Sequence, residues 1–283
     1  MNRILVPTDF SKISENALDV AIEIAEKFDA EIYFLNVIQR ISSTGFSAAG
    51  SAVYEDMITD EERFILELHR VNEAKLYDII GTKNTGDVNV YPMISIDEME
   101  KGITNFIEKY HIDLVVMGTS GENTLMEYFI GNNTERIIRI THCPVLAVRK
   151  PTQNFQINNL VLATDLNRKA YGGMSRIKKF MSYFDCKLHL VYVAKKATGS
   201  MAETKERVKA FAEEHQLEDY TINVVHNTDL ERGILHFAGE VKADIIVTIT
   251  HGRKGLAHLV FGSISEHLIR EANMPVLTVH FDD

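Results

Sequence analysis

The sequence predicts an α/β protein built as two consecutive copies of one unit. Three observations carry this. The stretch Val115-Val116-Met117-Gly118-Thr119-Ser120-Gly121 runs through nine residues to Gly131-Asn132-Asn133-Thr134-Glu135, and reads as buried strand, glycine loop and helix start. The same order returns 131 residues later, from Ile245-Ile246-Val247-Thr248-Ile249-Thr250-His251-Gly252 through nine residues to Gly262-Ser263. Each copy closes on a proline-led apolar strand, Cys143-Pro144-Val145-Leu146-Ala147-Val148 and Met274-Pro275-Val276-Leu277-Thr278-Val279. A period this long marks domains rather than solenoid repeats.

The elements follow in order. Ile4-Leu5-Val6 is a short buried strand ending in the turn-rich Pro7-Thr8-Asp9-Phe10-Ser11. Residues 13–28 place Ala17, Leu18, Ala21, Ile22, Ile24, Ala25 and Phe28 on a helical stripe. Ile32 to Val37 is the second strand, completing a βαβ unit. Residues 39–55, rich in Ser and Gly, have loop composition, and a mobile surface loop or a lid fits them. A charged amphipathic helix spans 56–80, and Val88–Ile94 forms a third strand whose Pro92 suits a sheet edge. A helix over 97–109, a strand over 113–117, the glycine loop, a helix to about Ile140 and a strand over 144–148 complete a (βα)₄β unit.

Lys150-Pro151-Thr152-Gln153-Asn154 reads as a linker, dividing the chain into domains 1–150 and 151–283. In the second domain Leu160–Asp165 repeats Ile4–Asp9, and Leu188–Val193 repeats the second strand. Helices follow over 202–215 and 229–240, with strands over 220–225 and 243–248.

Composition sets the outer bounds. The 283 residues are 45% hydrophobic and 25% charged, an ordinary globular balance. A formal net charge of −10 sits poorly with nucleic acid or an anionic membrane as main partner. The two cysteines, Cys143 and Cys186, form no CxxC pair; buried free thiols and a reducing compartment are expected. The chain enters a strand almost at once and has no long apolar run, so a cytoplasmic location is expected.

The glycine loop has a direct chemical reading. Free N–H groups at a helix N-terminus, with glycines just upstream and Asn132 as N-cap, form an anion cradle. The plain alternative is a tight strand-to-helix connection that binds nothing. Asp9 and Asp165 at strand ends suit helix caps better than metal ligands. His251, His258 and His267 crowd the second loop without the regular spacing of a zinc site, so surface or capping roles are expected. GxxxxGK[ST], GxSxG and GxGxxG are absent from the sequence.

Asp9 after the first strand, Val37 ending the second and Gly-x₂-Gly-x₉-Gly before a small polar residue resemble the universal stress protein family. The resemblance covers nearly the whole chain as two tandem domains. It implies two open five-stranded parallel sheets in the order 3-2-1-4-5, helices on both faces, of the adenine nucleotide alpha hydrolase-like kind. It also implies a ligand crevice where the strand order reverses. On this chain Asp9 would meet the ribose hydroxyls, the Val37 backbone the adenine edge, and Gly118, Gly121, Gly131 and Asn132 the phosphates. The second domain offers Asp165, Val193, Gly252, Gly262 and Ser263, with Ile249 at the first glycine position. A β-branched residue there disfavours close backbone approach, so the first domain is the expected better site. If the second binds instead, Ser263 and the basic Arg253-Lys254 are the expected reasons.

The expected cofactor is ATP, or AMP or ADP, with or without Mg²⁺. The expected role is a stress-response regulatory or protective module with unidentified protein partners. A ligand-free interaction scaffold and a slow adenine-nucleotide hydrolase are the alternatives. The loop shows no placed carboxylates or nucleophile for fast phosphoryl transfer. The resemblance also implies dimerisation through the fifth strand, so that pairing of Val145–Val148 with Val276–Val279 would give a pseudo-dimer within one chain, compatible with further homodimerisation.

Overall fold

The computed structural model describes residues 1–39, 60–119, 130–151, 154–166, 171–195, 200–251 and 258–281. The first repeat contains β1 (Arg3–Thr8), α1 (Lys12–Phe28), β2 (Glu31–Ile38), α2 (Asp60–Gly81), β3 (Val90–Ile96), α3 (Met99–Tyr110), β4 (Leu114–Gly118), α4 (Ile130–Ile140) and β5 (Val145–Val148). The second contains β6 (Asn159–Ala163), α5 (Tyr171–Met181), β7 (Lys187–Ala194), α6 (Met201–Glu214), β8 (Tyr220–His226), α7 (Leu230–Glu240), β9 (Ile245–His251), α8 (His258–Glu271) and β10 (Val276–Phe281). Of the expected 39–55 loop only Gln39 is among the described residues.

The ten described strands form one sheet in the order β3-β2-β1-β4-β5-β10-β9-β6-β7-β8. Each repeat is a parallel 3-2-1-4-5 sheet. In the second repeat the parallel neighbours are β10 with β9, β9 with β6, β6 with β7, and β7 with β8. The two repeats join antiparallel through β5 and β10, the pairing expected of the apolar Val145–Val148 and Val276–Val279 strands. Pro92 lies in β3, an outer strand of the sheet, where its missing N–H costs no ladder bond.

Alternation along the strands feeds two apolar layers. Ile4 and Val6 join α1, α2, α5 and α6 on one face, while Leu5 joins α3, α4, α7 and α8 on the other. α1 forms because its largely apolar inner face buries ten residues and Ser11 caps it, its side chain accepting from the Ser14 N–H. Asp29 in the left-handed region ends it.

At the seam, equivalent residues meet across a pseudo-twofold axis. Leu146 pairs with Leu277, and the Phe28 and Phe184 rings lie 6.1 Å apart. Two reciprocal ion pairs join α4 to α8. Arg139 Nε stands 2.5 Å from Glu266 Oε1, and Arg270 Nε 3.2 Å from Glu135 Oε1. Joining β5 to β10 covers the strand edge that each repeat would otherwise expose.

Cys143, just ahead of β5, is a buried free thiol as expected, whereas Cys186, just ahead of β7, is free but only half-buried. Among the described residues no helix is long and apolar enough to cross a membrane.

Candidate nucleotide crevice

β1 and β4 are neighbours, yet the chain leaves them toward opposite sides of the sheet, which opens a crevice beyond their ends. The turn after β1 is tightly held. Thr8 Oγ1 accepts from the Phe10 N–H at 2.9 Å and lies 2.8 Å from Ser14 Oγ. Asp9 Oδ1 accepts from the Ser11 N–H at 3.0 Å. Asp9 therefore braces the turn, and the capping role expected of it belongs to Ser11.

The second repeat builds the same turn. Thr164 Oγ1 accepts from the Leu166 N–H at 2.9 Å. Phe10 and Leu166 sit at φ 66° and 63°, a left-handed conformation that costs a bulky residue about 1–3 kcal/mol. Both repeats keep this strained turn beside an exposed aspartate. The threonine two residues before the strained position is the signal that sequence reasoning passed over.

Asp9, Val37, Gly118 and Thr134 line a crevice of about 40 Å³ in the first repeat. Asp165, Val193, Thr248, Ile249 and Ser265 line a cavity of about 430 Å³ in the second. The second volume falls in the ordinary range for small-molecule sites. Three of the expected first-repeat positions thus come together, as do two of those expected in the second. Gly121, Gly252, Arg253 and Lys254 lie outside the described residues.

Gly131 and Asn132 both lie within α4, so Asn132 is a helical residue rather than the N-cap. Gly262 and Ser263 lie further inside their helix, because α8 already starts at His258. Two buried hydroxyls dock these helices on the sheet. Thr134 Oγ1 donates to the Gly118 carbonyl at 3.0 Å, and Ser265 Oγ lies 3.1 Å from Thr248 Oγ1.

Gly118 has a packing reason of its own. A Cβ there would stand 2.7 Å from both Ile13 Cγ2 and the Ile13 carbonyl oxygen, so the absent side chain lets α1 approach β4. Gly102 and Gly233 do the same for the opposite wall. Added Cβ atoms would meet Val37 Cγ1 at 3.1 Å and Val193 Cγ1 at 2.8 Å. These two glycines, 131 residues apart, were not read from the sequence, although their shared register was available there.

Among the described residues no three potential metal ligands converge, and this covers Asp9, Asp165 and His267.

Two open α/β sheets, joined edge to edge and each with a crevice at its strand-order reversal, make up the architecture. The family model of the Universal stress protein family matches residues 1–149 and 157–280, and the chain belongs to that family. It is 34% identical over 150 residues to a universal stress protein of Methanocaldococcus jannaschii, covering 53% of this chain and 82% of that one. Over 300 aligned residues it is 24% identical to a universal stress protein of Synechocystis, covering 98% of this chain and 99% of that one. The crystal structure of a universal stress protein from Archaeoglobus fulgidus shares the fold, with TM-score 0.74, 19% identity and coverage of 99% of this chain and 98% of that one.

Proposed function

We propose that the chain binds an adenine nucleotide at its strand-order reversals and serves as a stress-response regulatory or protective module. The observation that carries this reading is the cavity of about 430 Å³ that joins Asp165 to Val193. Those positions suit a ribose and an adenine edge respectively. An exposed carboxylate accepts from two hydroxyls, and a strand end offers backbone groups to a base. The first repeat carries the unbroken glycine pattern and is proposed as the triphosphate site, with Gly118, Gly121, Gly131 and Asn132 about the phosphates. The second repeat carries the larger described cavity and is the second candidate.

Native mass spectrometry of freshly purified protein, with release and identification of any ligand, tests this. One ATP or AMP per chain, lost in Gly121→Val and kept in Gly252→Val, supports the first repeat. The reverse pattern moves the site to the second. A bare protein that also ignores millimolar ATP with Mg²⁺ would overturn the reading.

A further inference from the structure

A second cavity, about 360 Å³, lies at the seam between the repeats and away from both crevices. Phe28, Leu114, Cys143, Phe180, Leu277 and Val279 give it buried apolar walls. Arg176 and Lys179, both exposed residues of α5, stand among its lining groups.

The pseudo-twofold relation shows what such a site holds. Phe28 and Lys179 correspond to Phe184 and Glu23, each pair 156 residues apart. On that other side the chain's own Phe155 fills the space. Its side chain is 1% exposed and meets Phe184 edge-on at 6.4 Å, and its N–H donates to the Glu23 carboxylate. The occupied side therefore pairs a phenyl ring with an acceptor wall. The cavity side keeps the aromatic wall but replaces the acceptor with the Lys179 ammonium.

We propose that the seam cavity binds a small aromatic carboxylate, its ring among Phe28, Phe180 and Leu277 and its carboxylate on Lys179 and Arg176. Arg176 is already held in place, Nη1 donating to the carbonyls of His142 at 2.9 Å and His280 at 3.0 Å. A guanidinium carries five N–H donors, and these two bonds leave others to meet an anion. Asp113 is the carboxylate lining the cavity, and its Oδ2 accepts from the N–H groups of Asn2 and Arg3 at 2.7 and 3.1 Å. Lys179 and Arg176 thus leave the rim net positive. A buried ring with a charge-assisted contact at its edge is an efficient arrangement for so small a ligand.

The test is calorimetric titration of the full chain with 3-phenylpropionate, beside its neutral isostere 3-phenylpropanamide. The acid is expected to bind with a dissociation constant of about a millimolar or below, and the amide at least ~10-fold more weakly. Lys179→Glu, which installs the residue already present at the equivalent position, should abolish acid binding while leaving the unfolding midpoint unchanged. Arg176→Gln should weaken it. ATP should not displace the acid. The proposal is overturned if the amide binds as well as the acid or if Lys179→Glu folds and binds unchanged. It is also overturned if ATP competes, or if no saturable binding occurs by about 10 mM, where a fragment of this size should register.

Discussion

Replacing Gly118 by alanine tests whether this glycine serves packing before any ligand. The new Cβ would lie 2.7 Å from Ile13 Cγ2 and from the Ile13 carbonyl oxygen, and 2.8 Å from the carbonyl carbon. Ordinary contact between such atoms is about 3.5 Å, so the start of α1 must lift by roughly 0.8 Å. The side chain of Ile13 can rotate, but its carbonyl belongs to the helix backbone and cannot. α1 is also tied down by the Ser11 cap, the Thr8–Ser14 hydroxyl contact and its ten buried residues. Overpacking of this kind costs about 1–3 kcal/mol, offset by the ~0.4–1 kcal/mol that alanine gains by restricting the unfolded chain. The net loss is about 1–2 kcal/mol, which lowers the unfolding midpoint by roughly 2–6 °C. Scanning calorimetry of the full chain reads this directly. An unchanged or raised midpoint would refute the reasoning. Lifting α1 also shifts the turn that holds Asp9, so retention of the proposed nucleotide at the first repeat should fall with stability.

Further predictions use other parts of the structure. Gly233→Ala and Gly239→Ala place the same methyl on one helix with opposite results. The first meets Val193 Cγ1 at 2.8 Å and should destabilise by about 1 kcal/mol net. The second meets nothing within 4 Å and should stabilise by up to ~1 kcal/mol; equal shifts in urea midpoints would contradict this. Burial raises the Glu135 carboxyl above its ordinary value, with Arg270 opposing. A raised folded-state value means ionisation is held at a cost near neutral pH, a cost that fades as pH falls through the folded value toward the unfolded one. Glu135→Gln should therefore match or exceed the wild type near pH 7, with the gap closing by about pH 4. A clear loss at neutral pH would show that the Arg270 pair outweighs burial. Burial also pushes the Cys143 thiol up to about 12, and raises that of the half-buried Cys186. A disulfide-exchange reagent at mildly alkaline pH should titrate at most one thiol per native chain and both in urea. Two fast native thiols would be the contrary result.

Local patterning was enough to read the two-repeat plan from the chain. Apolar runs such as Ile4–Val6 and Val115–Met117 alternate with helical stripes, and burial on both faces needs little else to make them parallel strands. The pairing of the two proline-led strands was expected from the family resemblance, and covering the two exposed strand edges is its physical reason. Of the candidate site positions named from the sequence, Asp9, Val37 and Gly118 line the first crevice, and Asp165 and Val193 the second. Distances between segments far apart in the chain emerge only in the assembled fold. The helix boundaries that place Asn132 inside α4 are one case, since the apolar pattern does not distinguish a cap from a first turn. The packing of Gly118 on Ile13 and of Gly233 on Val193 is another, since a glycine's spacing does not reveal which backbone or side chain comes close to it. The reciprocal Arg139–Glu266 and Arg270–Glu135 pairs are a third. Each charge reads locally as an exposed helix face, and becomes a link between repeats only when β5 and β10 bring α4 and α8 together. Local periodicity sets the elements, whereas close contacts depend on how a whole sheet positions helices that the chain separates by more than a hundred residues.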